Sequence, residues 1–134
     1  MRVKCKWSRN NELPKAYVDD RVPINSSTDW HLTTGKEYVV YGLECYEGKT
    51  WYYVVDDHNL WFPIMKPAPL FDIVDPKPSA YWQVNFKTWR DSTEILLLAF
   101  EEWCVEETYY ERLSDKNPPE VAIFVQRRKE MDSE

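Results

Sequence analysis

Five carboxylates, Glu101, Glu102, Glu106, Glu107 and Glu111, fall within eleven residues that contain no Lys or Arg. On a helix, Glu102 with Glu106 and Glu107 with Glu111 are i,i+4 like-charge pairs, each destabilising by about 0.2–0.5 kcal/mol. A chain that keeps such pairs without interleaved cations is suited to meeting a cationic partner, whose encounter the local field would steer. Tyr109 and Tyr110 lie in the same run and Trp103 just before its middle, and these residue types anchor protein interfaces. A merely solvated acidic helix has the same sequence.

Catalysis is harder to write. His31 and His58 are the only histidines, and neither is flanked by a nucleophile elbow or a Gly-rich turn. Gly35, Gly42 and Gly48 are the only glycines, too sparse for a phosphate-cradling loop. Asp56-Asp57 pairs two carboxylates, but adjacent turn residues project apart, whereas a hydrolytic pair is held across a cleft roughly 5–10 Å wide. Cys5, Cys45 and Cys104 show no C-x-x-C spacing, so neither a disulfide scaffold nor a zinc site is expected, and no cofactor is called for. The reading is a non-catalytic protein with free, buried thiols in a reducing, cytoplasmic compartment.

Bulk charge supports that reading. Net charge is -6, yet residues 1–90 carry 12 basic and 11 acidic side chains, whereas residues 91–134 carry 5 basic and 12 acidic. A surface so poor in cations is a poor counterion-releasing face, so nucleic acid is not an expected partner. The longest apolar run, Ile95 to Phe100, is six residues, well short of a membrane span, and the N-terminus to Arg9 does not read as a signal peptide. A length of 134 residues suits one domain over 1–134, with a core built from 21 aromatic residues.

The elements that would position these residues follow from periodicity. Val3, Cys5 and Trp7 alternate with polar residues as a strand with one buried face. Leu32–Leu43 and Thr50–Val55 read as strands joined at Glu47-Gly48, where Gly supplies a hairpin turn. Leu60-Trp61-Phe62 reads as a third strand closed by Pro63, and Leu70–Val74 as a fourth. Asp75–Ser79 is the best internal break. Beyond it Trp82, Val84 and Phe86 mark a half-buried strand, Ile95–Ala99 a buried one, and residues 101–113 approach helical spacing. Asn117-Pro118-Pro119-Glu120 is a helix start, with Val121, Phe124, Val125 and Met131 on one face.

The rings Trp51, Tyr52, Tyr53, Trp61 and Phe62 leave two readings. Alternate strand positions face opposite ways, so an uncovered face could form an aromatic, peptide-binding groove. C-terminal helices lying over that face would make the same rings core.

The cadence from Leu32 through Lys36-Glu37-Tyr38-Val39-Val40-Tyr41-Gly42, Trp51–Asp57, Trp61-Phe62-Pro63 and Leu70–Val74 resembles small SH3-like β modules of bacterial and phage proteins. The resemblance spans residues 32–75 and implies an α+β fold. That fold is a small SH3-like antiparallel β barrel over 1–75, then a β hairpin and two or three C-terminal helices over 80–134. Small acidic proteins of this type include immunity proteins of bacterial toxin systems. The implied function is to neutralise a cognate basic toxin, a nuclease among the candidates, by occluding its active site. The expected partner-binding residues are Glu101, Glu102, Glu106, Glu107, Glu111, Tyr109 and Tyr110.

Overall fold

A computed structural model describes residues 1–8, 13–17, 28–88 and 92–134. The fold is α+β, with two antiparallel sheets followed by three C-terminal helices. Strands β1 (Arg2–Cys5), β2 (Glu37–Val39) and β6 (Phe71–Asp75) make the smaller sheet, in the order β2-β1-β6. Strands β3 (Gly42–Tyr46), β4 (Lys49–Val54), β5 (Ile64–Pro67), β7 (Trp82–Thr88) and β8 (Glu94–Phe100) make the larger, in the order β5-β4-β3-β8-β7. Neither sheet closes into a barrel. Although Asp75–Ser79 interrupts the chain, β8 pairs with β3, so the larger sheet draws strands from both sides of that break.

The β3–β4 hairpin shows why the register is firm. Glu47 and Gly48 both have positive φ, 46° and 76°, the backbone that matches the right-handed twist of the flanking strands. From that turn Gly42 pairs with Tyr53 and Glu44 with Trp51. Period-two alternation then splits the larger sheet between two cores. Tyr52 and Val54 face the smaller sheet with Val3, Tyr38, Val40, Leu70 and Phe71. Tyr53, Leu97 and Ala99 face the helices, with Phe100, Trp103, Tyr109, Leu113, Phe124 and Met131. Each such fully buried apolar side chain contributes roughly 1.5–3 kcal/mol.

The helices are α1 (Glu101–Val105), α2 (Tyr109–Ser114) and α3 (Pro118–Asp132). The acidic run is therefore not one helix. Glu106 turns to extended backbone at φ -85° and ψ 114°, so the expected i,i+4 glutamate pairs do not form on a common helix face. This break removes the like-charge strain that a continuous helix would carry. Helix α3 begins at Pro118 after Asn117, as its sequence implies, although the Asn117 side chain makes no capping bond.

Three expectations are corrected. Leu60-Trp61-Phe62 is not a strand; the strand is Ile64–Pro67. Backbone groups just before it bond to side chains instead of to a neighbouring strand: Asp56 accepts from the His58 and Asn59 amides, Arg128 donates to the Leu60 carbonyl, and Tyr110 to that of Pro63. Val84 and Phe86 are each 62 % exposed, because β7 is an edge strand whose apolar face is left uncovered. Val125 is exposed as well; Phe124 and Met131 carry the buried face of α3. No helix among the described residues is long and apolar enough to cross a membrane.

Candidate functional site

On the face of the larger sheet beneath α1 and α2, part of the acidic run, several aromatic rings and a cavity meet. Gly42, Glu44, Tyr53 and Leu97 share this face by pairing register. Gly42 allows a close approach here. A Cβ at position 42 would lie 3.2 Å from two atoms of the Trp103 indole, so any larger residue would make that ring give by a few tenths of an ångström. Tyr53 meets Trp103 edge-on at 4.8 Å between centroids, and Trp103 stacks on Tyr110 at 5.2 Å and 14°. The Tyr110 hydroxyl donates to the Pro63 carbonyl at 2.9 Å, which ties α2 to the chain entering β5.

These residues surround a cavity of about 360 Å³ between the sheet and the two short helices. Inside it the Glu44 carboxyl, 3 % exposed, accepts the Tyr53 hydroxyl at 2.8 Å. Glu107 and Glu111, both exposed, stand at its rim. Lys87 also lines it, but its ammonium donates to the carbonyls of Trp103 at 2.7 Å and Glu106 at 3.3 Å. That contact satisfies the C-terminal end of α1, where carbonyls lack helical partners. Burial pushes the Lys87 ammonium below its ordinary pKa, against the attraction of Glu107.

The expected partner-binding residues divide sharply. Glu106, Glu107 and Glu111 are exposed and form no ion pair among the described residues, and Glu101 is likewise exposed at the start of α1. Glu102 is occupied internally: the Arg127 guanidinium grips both its oxygens at 3.0 Å. Burial opposes ionisation of Glu102, yet the Arg127 hydrogen bonds outweigh it and hold the carboxyl below its usual range. Tyr109 is 2 % exposed, its ring packed on Phe100 and its hydroxyl donating to the Glu120 carbonyl. It is a core residue of the chain, where an exposed anchor is expected from the sequence. Tyr110 is half-buried and lines the cavity.

The aromatic strand face is closed. Trp51, Tyr52 and Tyr53 are all under 8 % exposed: Tyr53 packs beneath the helices, Tyr52 faces the smaller sheet, and Trp51 meets Tyr17 edge-on at 5.4 Å between centroids.

Asp56 and Asp57 point apart, as adjacent turn residues do. Asp56 is buried and binds the Lys66 ammonium at 2.6 Å, while its other oxygen accepts two backbone amides. Asp57 accepts from Thr33, Lys36 and Tyr38. Partial burial raises the pKa of Asp57, but those three hydrogen bonds prevail and hold it below normal, while burial lifts the Tyr38 hydroxyl to about 12. The rings of His31 and His58 stack at 4.7 Å on the surface beside this network.

A pH dependence follows from the two depressed carboxyls. Their stabilisation is complete above the unfolded-chain values of 3.8 for Asp57 and 4.5 for Glu102, and it is lost as pH falls through the lower folded values. The double variant Asp57→Asn, Glu102→Gln is therefore less stable at neutral pH and shows a flatter fall in Tm under acid. Thermal melts across the acid range check this, and parallel curves for the two proteins would refute it.

Glu44 and Lys87 were not singled out from sequence. A signal for Glu44 existed: it sits in phase with Gly42 and Tyr46 on the inward-facing side of an otherwise apolar strand. Lys87 carries no such signal, since its partners are carbonyls of another element.

No protein-family model matches the chain, and neither a curated protein nor a solved structure matches it.

Proposed function

We propose that the chain is a non-catalytic bacterial binding protein that docks a basic protein through the acidic rim formed by Glu106, Glu107 and Glu111, with Tyr110 between them. Within that class, the reading taken is an immunity protein that neutralises a cognate basic toxin, a nuclease among the candidates, by covering its active site. The SH3-like cadence of residues 32–75 supports this class. The single observation that carries the docking face is the set of three exposed carboxylates that form no ion pair among the described residues, two of which, Glu107 and Glu111, line an open cavity. Occlusion is the mechanism: the carboxylates take the place of substrate phosphates against the toxin's cations, and long-range attraction speeds encounter. The three cysteines are free thiols, which suits action in the cytoplasm.

The experiment is affinity capture from the native host with wild-type and Glu106→Lys, Glu107→Lys baits. The expected result is a basic protein retained by the wild type, released as salt rises, and bound about 10-fold or more weakly by the doubly reversed bait. A partner held equally by both baits, or held without regard to salt, rejects the acidic face.

A further inference from the structure

We propose that β7 pairs edge to edge with β7 of a second copy of this chain, antiparallel about a two-fold axis at Asn85, so that one sheet runs through both copies. An edge strand presents a row of main-chain N–H and C=O groups to any passing strand. Proteins blunt such edges by keeping them short, or with proline, outward charge or a bulge. Of the four edge strands among the described residues, three are blunted in these ways. Strand β2 is three residues long and begins with Glu37, β5 ends at Pro67, and β6 carries Asp72 and Asp75. Strand β7 is different. It has seven residues, no proline, and an unbroken register with β8 from Trp82 opposite Phe100 to Thr88 opposite Glu94. Its one charged side chain, Lys87, is turned onto the Trp103 and Glu106 carbonyls and does not guard the edge.

Parity and self-complementarity select a second copy as the occupant. The Phe86 amide donates to the adjacent Asn85 side chain at 2.9 Å, as suits an outward amide with no strand beyond it. Main-chain groups alternate sides along an antiparallel strand, so Val84 and Phe86 direct theirs outward together. A two-fold at Asn85 sets Val84 of one copy opposite Phe86 of the other, and each such pair exchanges both main-chain bonds. The same register joins a β-branched to an aromatic side chain, a pairing that stabilises sheets, at positions each 62 % exposed in the single chain. Leu98 and Leu96 of β8 lie opposite Val84 and Phe86 and are half-buried, so the apolar strips of the two copies become continuous. No like charges are brought face to face, because Lys87 falls opposite Gln83 and Asn85 opposite itself. Seven paired residues with these side chains cover on the order of 1,000 Å² in total, the low end for a specific pair, so the dimer is reversible. The interface is the same patch on both copies and closes at two.

Analytical ultracentrifugation of the full chain from about 1 µM to 1 mM tests this, and a monomer–dimer equilibrium is expected across that range. Each copy carries net charge -6, so added salt relieves repulsion and tightens the dimer, opposite in sign to the release expected of a basic partner. Val84→Lys and Phe86→Lys place a charge on the edge at exposed positions, and each should weaken dimerisation about 10-fold or more while amide NMR spectra away from β7 stay native. Register is read separately by oxidation. A mixture of Val84→Cys and Phe86→Cys chains should link to each other faster than either links to itself, since the two-fold sets 84 opposite 86. A wild type that stays monomeric to the top of the range overturns the proposal, as does association that continues past two copies. Lysine variants that dimerise as the wild type does, or like-with-like linkage as fast as mixed, overturn it equally.

Discussion

Lys66→Met lowers the stability of the chain by about 3–5 kcal/mol, the loss typical when one partner of a buried ion pair is removed. The Lys66 ammonium lies 2.6 Å from Asp56 and 2.9 Å from the Trp30 carbonyl, and the paired side chains are 4 % and 1 % exposed. Burial pushes Lys66 below its ordinary pKa, and the hydrogen bond it donates to Asp56, with that carboxylate's charge, opposes the shift. Without Lys66, Asp56 keeps only the amides of His58 and Asn59, and a buried carboxylate stands unneutralised. The same change frees Trp30, whose indole N–H is already buried without a partner, from its tie to β5. Urea unfolding reads the effect as a midpoint lowered by more than about 1 M, given slopes of ~1–3 kcal/mol/M. The companion Asp56→Asn, which retains an acceptor for the two amides, should cost less in the Lys66→Met background than alone. A loss below about 1 kcal/mol for Lys66→Met would show that Lys66 is not a principal tie of β5 to the turn at Asp56 and to Trp30.

Trp103→Ala is the second large effect, expected at about 3–5 kcal/mol. The indole is 3 % exposed and touches Tyr53, Phe100, Tyr109 and Tyr110, so its removal leaves a void that four rings cannot readily fill. The same indole lines the cavity and stacks on Tyr110, so its removal also reshapes the docking face proposed above. The reciprocal change is informative. In Gly42→Ala the new methyl meets the indole at 3.2 Å, closer than a relaxed contact, and the ring must shift or the helix must lift. Overpacking of this kind costs about 1–3 kcal/mol. Trp103→Ala together with Gly42→Ala should then cost less than the sum of the two, since the methyl no longer has a ring to strike. Strict additivity in thermal or urea unfolding would mean that Gly42 is not there to admit Trp103.

The acidic tail shows where local pattern stops informing. Its charge excess can be counted directly, and its helical tendency reads from spacing. Yet Glu102 and Glu106 look equivalent in the chain, and only the fold separates them. Arg127 reaches back across 25 residues to neutralise Glu102, while Glu106 turns out of its helix into solvent. Tyr109 and Tyr110 are adjacent and identical in type, but a helix turns each residue to a new direction. One is therefore sealed in the core and the other opens on the cavity.

By itself the sequence determined the α+β order, the turn at Glu47-Gly48, a buried strand over Ile95–Ala99, the start of α3 and the acidity of the last third. All of these are encoded by neighbours a few positions apart, through period-two alternation, positive φ at a hairpin, and proline at a helix start. Tertiary structure alone decided that β8 pairs with β3, that β7 is left as an edge with Val84 and Phe86 in water, that β5 starts only at Ile64, and that Glu44 and Lys87 line one cavity under α1. The reason is that these depend on which distant surfaces come together, a global balance of burial and pairing that no short window of residues contains.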